Sequence, residues 1–217
     1  MTYPKPFILH NSQFRQYKLR KKDKWYIIRK KIRSPEQLLG YIEKMQPTDV
    51  YQTVSWWLNP HSLSGKRANI SEYNGRNKAQ IKSARVKHFL NNIFLGSDYI
   101  MDFDDKDYPN GSEGSQNQLK LSKLKLNELG FRDFLAMRTG KGYQLLVIDF
   151  NDWAKRDIKA GMPRDREFQY QRKMAELTKK LLDAKIKWDY KVSTDTRRIF
   201  RCPNTLHNNG NIIRILQ

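Results

Sequence analysis

The chain has 217 residues, enough for one substantial core or two small packed lobes, and 42 Lys and Arg against 22 Asp and Glu leave a net charge of +20. A single cysteine, Cys202, excludes an intrachain disulfide and a cysteine-rich zinc site and suits a reducing compartment. No apolar run is long enough to span a bilayer and the N-terminal MTYPKPFILHNSQ carries no secretory pattern, so an intracellular, cytoplasmic protein with no membrane partner is expected, whether of chromosomal, plasmid or viral origin.

The cationic excess predicts a polyanionic partner, and the interleaving of basic with aromatic residues favours nucleic acid over a lipid surface. From Arg15 to Arg33 the stretch RQYKLRKKDKWYIIRKKIR holds ten basic residues and one acid, Asp23. It reads as a phosphate-tracking surface or as a solvated basic edge that discourages strand pairing between molecules. Within it, Trp25-Tyr26-Ile27-Ile28 predicts a short strand. Ser34-Pro35-Glu36-Gln37 then predicts a helix start, with Ser34 as cap and Gln37 reaching back, and Pro47 closes that helix after about Met45.

The segment Asp49 to Leu58, DVYQTVSWWL, predicts one strand stopped by Asn59-Pro60. Trp56 and Trp57 face opposite sides of such a strand, so at least one belongs to the core; either, or Tyr73, is available to stack on bases if exposed. Residues 62–77 read as a loop, and residues 80–95 as a helix with Val86, Phe89, Leu90 and Ile93 on one face and His88 on the solvated side.

A strand running into Asp102 follows, then a Gly/Ser/Asn-rich mobile loop over residues 108–118. Leu119, Leu126 and Leu129 share a helical face that Gly130 ends. FLAMRTGKGYQLLVIDF predicts strand, glycine-containing turn, strand; residues 164–185 predict a long helix; the remainder reads as short strands joined by turns. Strands and helices alternate without regular βαβ phasing, so the fold class is α+β, in a single domain.

The chemistry concentrates where an apolar strand meets Asp102-Phe103-Asp104-Asp105. Residues i and i+2 of a strand share a face, so Asp102 and Asp104 project together while Phe103 turns into the core. Two adjacent carboxylates repel, and a divalent cation relieves that cost; an all-oxygen set suits Mg²⁺ or Mn²⁺. The alternative is a solvated strand end, to which Asp105 and Asp107 belong.

A third carboxylate, Asp189, lies in KWDYKVSTD, read as a partly buried strand, with a plain ion pair as its alternative role; Asp195 caps a polar STDT turn. Between the acidic segments, Thr139-Gly140-Lys141-Gly142-Tyr143-Gln144 offers a hydroxyl, a charge and backbone freedom suited to phosphate, or an ordinary hairpin turn.

Together these segments resemble the catalytic core of the archaeo-eukaryotic primase superfamily, the primase small catalytic subunit and its primase-polymerase relatives. The match runs from about Asp49 to the C-terminus on three ordered motifs. DFD resembles the family's metal-binding pair; TGKGYQ resembles its Ser-Gly-basic-Gly-x-His signature; WDYKVSTDTRRIFRCPNTLH resembles its Asp-x-x-Val-Ser/Thr segment followed by a basic residue, Pro and Ser-x-His. Gln144 stands where the family usually has His, and Thr205 where it has Ser. Family members commonly are longer and often carry a zinc knuckle, which this chain lacks, so the resemblance implies a minimal core or a piece of a longer protein.

The resemblance implies an N-terminal α/β lobe, residues 1–95, packed on a C-terminal RRM-like sheet lobe, residues 96–217. It implies Asp102, Asp104 and Asp189 as catalytic metal ligands. Thr139, Lys141, Gln144, Arg201 and His207 would bind the incoming nucleotide. The implied activity is template-dependent nucleotidyl transfer, making or extending primers on single-stranded DNA from NTPs or dNTPs, with a larger primase subunit or a helicase as possible partner. A non-catalytic nucleic-acid-binding module of the same fold and a metal-dependent nuclease are the rival expectations.

Overall fold

The computed structural model describes residues 3–60, 92–156, 158, 163–207 and 211–216. These form an α+β protein whose strand pairings are all antiparallel. The first sheet contains β1 (Tyr17–Lys21), β2 (Lys24–Ile27), β3 (Asp49–Thr53) and β9 (Ile199–Arg201), in the order β2-β1-β3-β9. Alternation sorts its residues onto two faces. Tyr17, Leu19 and Val50 pack with Leu38 and Ile42 of α1 (Pro35–Met45), together with Ile28, Ile32 and Cys202. Lys18, Tyr51 and Arg201 pair across strands and so share the opposite face.

Helix α1 starts as its sequence predicts. The Ser34 side chain accepts from the Gln37 N–H, and Gln37 in turn accepts from the Arg33 N–H at 2.8 Å. The predicted single strand over 49–58 is two strands, β3 and β4 (Ser55–Trp57), because Val54 leaves the ladder. Its N–H donates to Arg198 and its carbonyl accepts from Asp98.

Strand β4 pairs with β5 (Phe94–Ser97), which corrects the helix expected to run to residue 95. The rest of that helix, with Val86, Phe89, Leu90 and His88, lies outside the described residues, as do the 62–77 loop and Tyr73. Trp56 and Trp57 are both buried, so neither stacks on a base. Trp57 meets Phe94 edge-on and donates to Ser55, while Trp56 is covered by Arg15 and His10.

The second sheet, ordered β10-β7-β8-β6, contains β6 (Tyr99–Asp104), β7 (Phe134–Arg138), β8 (Gly142–Val147) and β10 (Arg214–Leu216). One face, with Tyr99, Met101, Phe103, Leu145 and Val147, packs on α2 (Gly111–Glu128), α3 (Phe150–Lys155) and α4 (Pro163–Asp183) through Leu119, Leu126, Phe150, Met174 and Leu177. The other face, with Ile100, Leu135, Met137 and Leu146, packs on Val54 and on Phe200 of β9, joining the two sheets. Strand β9, from late in the chain, thus completes a sheet begun by the N-terminal strands, and residue 95 does not divide one sheet from the other.

Residues 111–118, expected as mobile loop, are the first half of α2. Small residues allow that half to seat closely. Buried Ser115 donates to Asp105 Oδ1 at 2.5 Å and to the Ser112 carbonyl at 3.0 Å, and Ser122 donates to the Gln118 carbonyl, so neither hydroxyl is left unsatisfied. Leu119 and Leu126 carry the apolar face as predicted.

Arg15, counted from sequence among the phosphate-tracking residues, is buried instead. Its guanidinium donates to Asp98 Oδ2 at 2.6 Å, to the carbonyls of Thr53 and Val54 at 2.8 Å each, and to the His10 carbonyl at 3.1 Å. Asp98 has no side-chain exposure. Burial pushes its carboxyl above the ordinary value, and Arg15 opposes that push. Removing one partner of such a pair leaves an uncompensated buried charge. Arg15→Ala should therefore lower unfolding stability by about 3–5 kcal/mol in urea denaturation, with Arg15→Met/Asp98→Leu recovering much of the loss.

Candidate active site

The carboxylate pair forms as strand geometry requires. Phe103 is fully buried, while Asp102 and Asp104 emerge on the Ile100 face of β6, toward the first sheet. Asp102 is opposite Gln144 of β8, and Asp104 is opposite Gly142. Burial and then the Asp104 charge push the Asp102 carboxyl up to about 6, against the opposing pull of Arg198, Gln144 and Arg201. Asp102 retains 18% side-chain exposure and Asp104 retains 40%. Each has a cation beside it: Arg198 at 3.9 Å from Asp102 and Lys106 at 3.6 Å from Asp104.

The glycine turn between β7 and β8 holds this strand end in place. A Cβ on Gly142, at φ +157°, would stand 2.1 Å from the Phe103 carbonyl, so the pairing of β8 with the carboxylate strand excludes a side chain there. The buried Thr139 closes the same turn, its hydroxyl donating to the Gly142 carbonyl at 3.1 Å. Asp105 is a latch. It accepts two hydrogen bonds from Arg138, at 3.0 and 2.8 Å, and one from Ser115. Burial raises the Asp105 carboxyl, but these hydrogen bonds outweigh it and hold the group below its ordinary value.

Asp189 reaches the site by a different route from the one predicted. It precedes a 3-10 turn (Tyr190–Val192), not a strand, and it is exposed. Its side chain caps that turn by accepting from the Lys191 N–H. The turn is fastened beneath β6: the Asp189 N–H donates to the Asp102 carbonyl at 3.0 Å, and the Ser193 hydroxyl donates to the Ile100 carbonyl at 2.6 Å. Trp188 donates to the Ser193 hydroxyl at 2.8 Å. These bonds are why an aspartate 87 positions later in the chain lies beside Asp102. Asp195 caps its own turn through the Arg197 N–H, as read from the sequence.

The predicted nucleotide-binding side chains converge on the same region. Arg201 acts electrostatically on both Asp102 and His207, and Lys141 also acts on His207. His207 is buried, with its Nε2 3.8 Å from Asp49 and neither ring nitrogen hydrogen-bonded among the described residues. Burial first, and then the Arg201 charge, hold its imidazole below the ordinary value, so around neutrality it is an uncharged hydrogen-bonding group. Arg201 Nε and Gln144 Oε1 are likewise buried without a partner. Lys141 is exposed.

Arg198 and Asp49 belong to this neighbourhood and were not singled out from sequence. The adjacent basic pair in TDTRRIF was the signal for Arg198; Asp49, opening β3, carried none. Among the described residues the three aspartates do not close into a ready-made three-ligand cluster. The donor set still suits a hard cation. All donors are carboxylate oxygens, and Asp104 makes ionisation of Asp102 costly in a way that a divalent ion relieves.

No protein-family model matches the chain, and no curated protein matches it.

The raised Asp102 carboxyl has a sign. Its proton is held more tightly in the folded than in the unfolded state, so its contribution is fully present below pH 4 and is lost as pH rises through about 6. Asp102→Asn should therefore stabilise the protein at pH 8, by roughly 1–3 kcal/mol, and leave it unchanged near pH 3.5, read from denaturation midpoints at the two pH values. Gly142→Ala should destabilise it at both pH values by about 2 kcal/mol or more, since the clash is with backbone.

Proposed function

We propose that the protein is a template-dependent nucleotidyltransferase of the primase-polymerase type, acting on single-stranded DNA with NTPs or dNTPs. The observation that carries this reading is a juxtaposition of opposite charges. Asp102 and Asp104 stand side by side at the end of β6, Asp189 is tied to Asp102 through the backbone, the Arg201 charge acts on Asp102, and Arg201 and Lys141 both act on His207. A cluster of carboxylates alone serves a nuclease equally well; the adjoining cationic and unpartnered donors are what a triphosphate requires.

Asp102, Asp104 and Asp189 are the residues that would hold Mg²⁺ or Mn²⁺, which when bound lowers the pKa of an attacking hydroxyl and neutralises charge on departing pyrophosphate. Among the described residues Arg201 Nε and the two His207 ring nitrogens are buried without a hydrogen-bond partner, and in this reading Arg201 Nε and the one protonated nitrogen of neutral His207 would donate to phosphate oxygens. Gln144 stands opposite Asp102 across the β6–β8 ladder and favours its ionised form; its amide supplies no charge where the resemblance leads one to look for a histidine. The RRM-like description of the second sheet is part of this proposal. Its succession β6–α2–β7–β8 follows the βαββ opening of such a fold, with β8 between β6 and β7, while β10 joins at the β7 edge rather than beside β6, where an RRM sheet carries its fourth strand.

One observation favours the non-catalytic binding-module reading: Arg198 and Lys106 already place cations beside the two carboxylates. Nucleotide incorporation on single-stranded DNA, with and without a primer and with Mg²⁺ or Mn²⁺, decides between the readings. Product should form with the intact protein, and Asp102→Ala and Asp189→Ala should each abolish it. Ser193→Ala, which releases the turn under Asp189, should lower turnover about 10- to 100-fold while leaving DNA binding intact. DNA binding without synthesis under every condition supports the module; loss of labelled DNA without nucleotides supports the nuclease.

A further inference from the structure

The open face of the first sheet carries an exposed aromatic platform. Trp25 of β2 is 50% exposed, at the outer edge of a sheet in a protein whose four other tryptophans include buried Trp56, Trp57 and Trp188. Its ring lies against that of Tyr51 on β3, with centroids 5.1 Å apart and planes inclined by 50°. A guanidinium flanks the pair on each side. The Arg20 carbon is 6.0 Å from the Trp25 ring and the Arg201 carbon is 5.9 Å from the Tyr51 ring. Strand register explains the row: Arg20 is opposite Trp25, and Tyr51 is opposite Lys18 on one side and Arg201 on the other.

An exposed tryptophan held in place by neighbouring cations is costly unless something covers it, and the surrounding charge selects the chemistry of the cover. Lys18, Arg20 and Arg201 lie on this face, with Lys21, Lys22 and Lys24 in the adjoining hairpin; Asp23 in the hairpin and the buried Asp49, opposite Arg20, accompany them. That is a polyanion surface. A π-face is of no use against a stacked duplex, whose bases are hidden, but it binds the unstacked bases of a single strand, while Arg and Lys hold the phosphates.

We propose that Trp25 and Tyr51, with Arg20 and Arg201, form a stacking platform for single-stranded nucleic acid. It leads from the sheet edge toward the carboxylate site, because Arg201 of β9 lies over the Tyr51 ring and its charge acts on Asp102. The proposal rests on the nucleic-acid part of the functional reading and is independent of the metal chemistry.

The test is fluorescence anisotropy of a labelled 20-nucleotide single strand and of the matching duplex, in EDTA and without nucleotides. Trp25→Ala should weaken single-strand binding about 5- to 150-fold, the range for losing one aromatic–base stack. Trp25→Phe should restore most of it, and duplex binding should be unchanged. Circular dichroism checks that the exposed substitution leaves the fold intact. Equal single-strand affinity of intact protein and Trp25→Ala overturns the platform alone. Equal losses on single strand and duplex overturn it in favour of a purely electrostatic surface. Failure of the intact protein to bind either probe overturns the platform and the nucleic-acid reading together.

Discussion

The Arg15–Asp98 pair is the constraint on which the arrangement depends. A buried guanidinium at 2.6 Å from a buried carboxylate also caps the carbonyls of Thr53 and Val54, where β3 breaks into β4. Asp98 sits at the break between β5 and β6, and its N–H donates to Val54. One side chain thus ties the first sheet to the start of the strand that carries the site. Asp102 follows on the same strand, and Tyr51 lies in β3 just before Thr53. The spacing between the open face of the first sheet and the carboxylate edge of the second is set from this point. A buried ion pair contributes little net stability over a well-packed apolar substitute, but its directional hydrogen bonds oppose alternative registers of the strands that it joins.

From that anchor the site is assembled by backbone bonds more than by side chains. Ser193 and the Asp189 N–H attach a late turn to Ile100 and Asp102, and Gly142 lets β8 approach β6 where any Cβ would strike a carbonyl. Asp105 and Arg138 lock the strand ends together. Charged groups on the rim are thereby held on rigid elements. Burial raises the Asp102 carboxyl and the Asp104 charge adds to it, while burial lowers the His207 imidazole and the Arg201 charge adds to that. Each unfavourable pairing is relieved by a partner of the opposite sign, a cation for the first and an anion for the second.

Much of the local structure was legible in the sequence because local physics determined it. The Ser34 cap, the alternation that turns Phe103 inward and Asp102 and Asp104 outward, the glycine turn between β7 and β8, and the long α4 all follow from spacing and residue type. What escaped depended on distant partners. Nothing near Arg15 distinguishes it from the exposed bases that follow; its partner lies 83 residues away. The Gly/Ser/Asn-rich start of α2 reads as loop until Asp105 and the close seat for Ser115 are known. Trp56 is buried under a guanidinium that no periodicity reveals. Asp189 was singled out from its motif, and its exposed turn reads as a strand because Trp188 and Val192, which flank it, are both core residues. Asp49 and Arg198 join the site only through the pairing of β3 with β9 and the turn before it.

The central claim is that the carboxylates at the end of β6 and the aspartate fastened beneath them hold a divalent cation. Titration of Mn²⁺ into the protein at pH 7.5, followed by the loss of the free-ion electron paramagnetic resonance signal, tests it most directly. Saturable uptake that is lost in Asp102→Asn and weakened in Asp104→Asn and Asp189→Asn is the predicted result. No saturable uptake, or uptake unchanged in all three variants, would contradict it.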